Sequence, residues 1–171
     1  MNLPSPRWPR LLPTPVVVGV ATLGPVGRRL PAPGTWGSVA GVLYFYVVFQ
    51  RLGPVPFALI SLAGIYGAVA FCGEAAARMR RPDPGEVILD EFVAMPLCFL
   101  GWRALAAGGW PHWAIALAAF ALFRFYDILK PLGIHRLQAW PAGWGIVVDD
   151  VAAAFAACAT LHLGAWLWTL R

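Results

Sequence analysis

Charge is scarce in this 171-residue sequence: only 12% of its residues are charged, against about 25% in an ordinary globular chain. Hydrophobic residues fill 60% of it and the mean hydropathy is +0.68, which excludes a soluble domain and indicates an integral membrane protein. The formal net charge is +5. Its basic residues are nearly all arginines at the ends of apolar runs, with no cluster interleaved with exposed aromatics, so the pattern excludes a nucleic-acid partner. Cysteine is also scarce. Cys72, Cys98 and Cys158 each lie inside an apolar run and show no paired spacing, which excludes a disulfide framework or zinc site and predicts free, buried thiols. No internal repeat, low-complexity tract or linker interrupts the chain, and residues 1–171 are read as one domain.

What is present is a set of five apolar segments, at about residues 35–50, 52–73, 87–107, 110–123 and 146–170. The first and fourth fall short of the ~20 residues that a span needs, so the reading is an all-α membrane bundle of four to five helices. Ahead of them, Arg7, Arg10 and the apolar residues 11–20 have a passing likeness to a signal peptide. Pro13 and Pro15 break that run and no small-x-small cleavage site follows, so residues 1–33 are expected to be a retained, partly extended leader.

If the chain zigzags through the bilayer, ten of the thirteen basic residues fall on one side and only Arg51, Arg103 and Arg171 fall opposite. That bias places the loaded side in the cytoplasm. The acids follow, although nothing in that rule obliges them to. Glu74, Asp83, Glu86, Asp90, Glu91, Asp127, Asp149 and Asp150 are all eight of them, and all land on the same side. Carboxylates at the ends of membrane helices are costly, which points to a polar site at the cytoplasmic helix ends.

Two acid pairs open apolar runs: Asp90 and Glu91 the third, Asp149 and Asp150 the fifth. Adjacent helical residues project about 100° apart, so each pair can turn one acid inward and the other sideways. One reading is helix capping, which offsets the dipole by a fraction of a kcal/mol each. The other is a shared set of hard oxygen ligands for a magnesium-like ion, supported by a third acid, Asp127. Pro96 cannot donate its N–H and frees the carbonyl of Phe92, giving either a bend or a further oxygen ligand. Before the first segment, Gly34-Thr35-Trp36-Gly37-Ser38 offers either an ordinary helix start, with Thr35 or Ser38 as cap, or an anion cradle. Arg124, Asp127 and Lys130, three apart, read as ion pairs or as cations for phosphate oxygens at headgroup depth. Glu74 and Arg78 read as a structural i, i+4 pair.

These residues resemble the phosphatidylglycerophosphatase A family of bacterial inner-membrane lipid phosphatases. The matching blocks are Ala32-Pro33-Gly34-Thr35-Trp36-Gly37-Ser38; Asp83 with Val87-Ile88-Leu89-Asp90-Glu91-Phe92; Phe123-Arg124-Phe125-Tyr126-Asp127-Ile128-Leu129-Lys130-Pro131; and Gly143-Trp144-Gly145-Ile146-Val147-Val148-Asp149-Asp150-Val151-Ala152. They occur in family order over most of the chain. Departures are Ala94, Gly133 and Ala142, where the family usually has Gly, Pro and Gly.

The resemblance implies Mg²⁺-dependent removal of the terminal phosphate of phosphatidylglycerol phosphate, in a multi-pass inner-membrane protein whose site faces the cytoplasm. Carried over by position, the polar set is Thr35, Ser38, Asp90, Glu91, Arg124, Asp127, Lys130, Asp149 and Asp150. Our reading of their roles makes Asp90, Glu91, Asp149 and Asp150 the metal ligands. Thr35, Ser38, Arg124 and Lys130 would hold substrate phosphate; the nucleophile is either water activated by Asp127 or the metal, or a carboxylate that forms an aspartyl-phosphate. The chain has no Cys-x5-Arg loop, no Asp-x-Asp-x-Thr motif and no histidine pair: His112, His135 and His162 are isolated. Carboxylates and a metal are what remain. The rival expectations are a divalent-cation carrier and a noncatalytic membrane subunit.

Overall fold

The computed structural model describes residues 6–170; residues 1–5 of the leader and Arg171 lie outside the described residues. The α-helices are α1 (Thr14–Ala21), α2 (Val26–Arg29), α3 (Pro33–Tyr44), α4 (Pro54–Met79), α5 (Leu89–Ala94), α6 (Trp102–Ala107), α7 (His112–Leu129) and α8 (Gly143–Thr169). No strand occurs among the described residues. Proline in the first turn starts both α3 and α4, where its missing N–H costs nothing and its fixed φ suits the helix.

Three helices, α4, α7 and α8, are long and apolar enough to cross a membrane. At 1.5 Å per residue they reach about 39, 27 and 40 Å, near or beyond the ~30 Å hydrocarbon core. Their outer faces carry exposed Leu59, Leu62, Leu117 and Leu163, a surface suited to lipid. Tryptophans mark both ends. Trp110 packs on Trp168 with ring centroids 6.2 Å apart, and Trp102 packs on His112, at the end where α7 starts and α8 finishes. Trp36 and Trp144 lie in the first turns of α3 and α8 at the opposite end, the arrangement of interfacial aromatic belts.

Two apolar segments differ from their sequence outlines. The fourth, short as an apolar run, becomes a full 18-residue helix because α7 continues through Arg124 and Asp127 to Leu129. The third is not one helix. α5 ends at Ala94 and gives way to a 3-10 turn, Met95–Phe99, that contains Pro96. Gly101, at φ 72°, then turns the chain into α6. The absent N–H of Pro96 explains the break.

The leader is more helical than a partly extended segment suggests. Its described part folds into a 3-10 turn (Trp8–Leu11), α1 and α2, with extended backbone at Leu12 and Leu30, and buries Val17, Ala21 and Thr22 completely. Arg78 of α4 holds it in place. Its Nε donates to Glu74 Oε1 at 2.9 Å, the expected pair, while its other nitrogens donate to the carbonyls of Leu12 at 2.9 Å and Pro9 at 3.2 Å. One arginine thus satisfies loop carbonyls that would otherwise lack donors. The Ile88 amide in turn donates to the Ala21 carbonyl at 3.0 Å, which fixes the start of α5.

Missing side chains set the helix spacing. Gly37 and Gly41 place α3 directly on α5: a Cβ at 37 would stand 2.9 Å from the Ile88 carbonyl oxygen, and one at 41 would stand 2.5 Å from Met95 Cβ. The start of α8 presses on α4 in the same way, since a Cβ at Gly143 would overlap the Val69 carbonyl. That crossing forces the preceding residue, Ala142, to φ 53°, ψ −137°, a region that glycine occupies freely and alanine does not. Ala142→Gly is therefore expected to raise unfolding stability in detergent by about 1 kcal/mol, and Gly143→Ala to lower it by about 1–3 kcal/mol through overpacking. Denaturation midpoints of the two variants in mixed micelles check both signs.

Candidate functional site

The broken third segment brings its acids to the middle of the bundle. Because α3 presents glycine to α5, the first turn of α5 sinks between α3, α4 and α8. Asp90 and Glu91 there meet Asp150 of α8, with one carboxylate oxygen from each lying within 4.8 Å of the others. Asp90 is 6% exposed and Asp150 3%. Asp90 Oδ1 and Glu91 Oε2 are buried with no hydrogen-bond partner, a condition that costs about 1–3 kcal/mol or more per group if nothing satisfies it. An all-oxygen, all-carboxylate donor set suits a hard divalent cation such as Mg²⁺ better than zinc.

Asp149 does not join that trio. One helical step from Asp150, it is turned toward α7 and hydrogen-bonds Lys130 through Oδ2, while its Oδ1 has no partner. The expected set of four ligands is therefore divided into a trio and a separate carboxylate bound to lysine. The 100° step between neighbours makes that division.

Cations complete a circuit. Arg124 Nη1 lies 2.6 Å from Asp127 Oδ2, 3.7 Å from Glu91 Oε1 and 3.4 Å from Ser38 Oγ, and Arg124 Nε is buried without a partner. Lys130, the chain's one lysine, lies 3.9 Å from Asp127 Oδ1 and pairs with Asp149. Starting at Asp150, the contacts pass through Asp90 and Glu91 to Arg124, Asp127, Lys130 and Asp149, and return along the backbone. Five carboxylates face two cationic side chains, an excess of negative charge that a divalent cation would offset. Burial works against the charge of Lys130, but the hydrogen bond to Asp149 and the fields of Asp149, Asp150 and Asp127 outweigh it and hold its pKa above the ordinary 10.5.

The Gly34–Ser38 turn touches the circuit but does not cap its helix. The N-cap of α3 is Ala32, in a left-handed conformation with no side-chain cap. Ser38 is fully buried and donates back to the Gly34 carbonyl at 2.8 Å. Both Thr35 and Ser38 were open to a capping reading, and neither fills it, because Pro33 starts the helix two residues earlier. Gly34 leaves room for the circuit: a Cβ there would displace Glu91 Oε1 and stand 3.1 Å from Arg124 Nη1.

Sequence reasoning missed a cavity of about 570 Å³ beside the circuit, between the end of α4 and the start of α8, lined by Arg80, Arg81, Asp83, Gln138, Trp140 and Ile146 among others. Ile146 is one turn before Asp149 and Asp150. Only tertiary structure joins these segments. Arg81 is paired with Glu86 at 2.9 Å. His162 binds the Leu100 carbonyl at 2.7 Å, away from the acids, and the three cysteines are free and buried as expected.

Residues 19–165 match the family model described as phosphatidylglycerophosphatase A. The chain is 42% identical over 129 residues to phosphatidylglycerophosphatase A of Haemophilus influenzae, covering 72% of this chain and 73% of the relative. It is 29% identical over 147 residues to phosphatidylglycerophosphatase A of Escherichia coli, covering 81% and 77%. A third relative, named provisionally as a phosphatidylinositol-3-phosphatase of Bacteroides thetaiotaomicron, is 34% identical over 151 residues, covering 80% and 85%. No solved structure matches the chain.

The raised pKa of Lys130 makes a signed prediction. A cation held above its unfolded pKa contributes stability that is complete below the ordinary lysine value and disappears as pH rises through the folded one. Thermal midpoints of the wild type are expected to fall beyond pH 10.5 more steeply than those of Lys130→Met. Parallel profiles from pH 8 to 12 would remove the pair from the stability of the fold.

Proposed function

The chain belongs to the phosphatidylglycerophosphatase A family, and on that premise we propose that it hydrolyses phosphatidylglycerol phosphate to phosphatidylglycerol and inorganic phosphate, with Mg²⁺, at the cytoplasmic face of a bacterial inner membrane. The observation that carries the reading is the circuit itself: three converging carboxylates, two of them with an unsatisfied buried oxygen, joined to Arg124 and Lys130 at the ends of membrane-length helices. The residues fit the ion. Asp90, Glu91 and Asp150 would hold it, and it would supply Lewis-acid polarisation of a phosphoryl oxygen.

The protein's own groups supply the rest. Arg124, with an unpartnered Nε, offers a fork to the phosphate oxygens, and Lys130 supplies a point charge. Ser38 holds Arg124 from behind, and Thr35 in the first turn of α3 adds a hydroxyl at the same end. Asp127 stands between both cations and positions them. Asp149 keeps Oδ1 free while Lys130 holds the other oxygen, which places it to take a proton from the attacking water. The water oxygen bonds to phosphorus, the bond from phosphorus to the glycerol oxygen breaks, and the departing alkoxide takes up a proton to become the alcohol.

A cation carrier would place acids along a path through the bilayer. Here the carboxylates on membrane-length helices lie in the last turns of α4 and α7 and the first turns of α8. The name of the Bacteroides relative supports a second headgroup, a phosphorylated inositol lipid, for the same chemistry.

Phosphate release from phosphatidylglycerol phosphate by detergent-purified protein is expected to stop with chelator and return with Mg²⁺ or Mn²⁺. Asp90→Asn, Glu91→Gln and Asp150→Asn are each expected to lower kcat by at least about 100-fold, while Glu74→Gln, whose pairing is with Arg78 and Arg10, keeps wild-type turnover. Full activity in chelator would remove the metal, and release from phosphatidylinositol 3-phosphate alone would change the substrate.

A further inference from the structure

A second cleft begins where the circuit ends. Along the seam between α3 and α7, a cavity of about 260 Å³ is lined by Val39, Val42, Leu43, Ala116, Leu117 and Phe120, all apolar. Helical periodicity places it. Phe120 and Ala116 stand one and two turns before Arg124 on the same stripe of α7, and Val42 stands one turn after Ser38 on α3. The seam is closed at its polar end by the Arg124 contact to Ser38. It opens on the bilayer side, where Leu43 is 62% exposed and Leu117 also 62%.

A lipid substrate must keep its hydrocarbon out of water while its phosphate reaches Arg124, and this cleft is an apolar slot whose nearest lining residues, Phe120 and Val39, stand one turn from that arginine and next to Ser38, respectively. The 570 Å³ cavity is partly apolar through Trp140 and Ile146 but carries Arg80, Arg81 and Asp83 in its wall; a third cavity, near Gly101 and Arg103, is at the far end of the bundle; and a fourth, of about 340 Å³, is lined by Gly19, Gly24, Pro25, Arg28 and Arg29 and offers no hydrocarbon wall. We propose that the α3–α7 seam is the acyl-chain site of the enzyme, holding one hydrocarbon tail of the substrate while Arg124 receives its phosphate. Resting on the lipid-phosphatase reading above, this adds a lateral route: substrate slides in from the bilayer between α3 and α7 and product leaves by the same seam. It also assigns Val42 and Leu117 a part in specificity that needs no contact with the reacting atoms. Filling the slot displaces the tail and leaves the phosphate site untouched.

The test compares dihexanoyl and dioleoyl phosphatidylglycerol phosphate in mixed micelles, using wild type, Val42→Trp and Leu117→Trp. The ratio of kcat/KM for the long chain to that for the short chain is expected to fall about tenfold in each variant; an unchanged ratio overturns the proposal. Wild-type protein in phosphatidylethanolamine vesicles carrying a substrate with a diazirine in its acyl chain gives an independent readout that needs no variant to fold. Crosslinks mapped by mass spectrometry are expected to concentrate on residues 39–43 and 116–120. Labelling spread evenly over the lipid-facing surfaces of α4 and α8 overturns the assignment. Wild type that releases no phosphate from either chain length would instead defeat the phosphatase reading, while the crosslinks would still decide the seam.

Discussion

Mutual repulsion among buried carboxylates is the constraint that the rest of this structure accommodates. Asp90, Glu91 and Asp150 are removed from water in a chain with few polar groups to spare, and two of their oxygens meet no donor. Such a cluster needs a cation or protons. Around it the fold makes room in a particular way: Pro96 breaks the helix shortly after α5 has delivered its acids, and α3 contributes glycine where a side chain would block the approach. Ala142 adopts an unfavourable conformation so that α8 can begin against α4. Each irregularity lies within a turn or two of a carboxylate.

The cations act as more than counter-charges. Arg124 touches acids from α5 and α7 together with a hydroxyl of α3, and Lys130 joins α7 to α8. Four helices are thus held in register by two side chains, both at the end of the bundle where α7 finishes and α8 starts. A pair of long cationic side chains in water contributes little to stability. Here Arg124 and Lys130 are largely enclosed, and their removal would leave buried acids unpaired, the expensive case.

Much of this was legible in the sequence, because a shortage of charge makes each charged residue informative. The gathering of acids at one end, the ordered motif blocks, the Glu74–Arg78 pair and the free thiols all follow from positions alone. The division between Asp149 and Asp150 does not, since two adjacent acids look identical until the neighbouring helices determine which way each turns. Apolar length misjudged two segments for opposite reasons. α7 is longer than its apolar run because its charged end is buried in the circuit, whereas the third segment reads as one long run after its opening acids and Pro96 stops it from being one helix. Thr35 and Ser38 looked like caps by residue type, but Pro33 starts α3 ahead of them.

The leader's contact with Ile88 changes what residues 6–30 are. A stretch with two arginines and a short greasy run resembles an address, something read once and then dispensable. In this molecule its Ala21 carbonyl receives the amide two positions before Asp90, so the front of the chain braces the turn that delivers the acids. An address can be exchanged between proteins without consequence for the cargo; a brace must keep its shape together with the turn it supports.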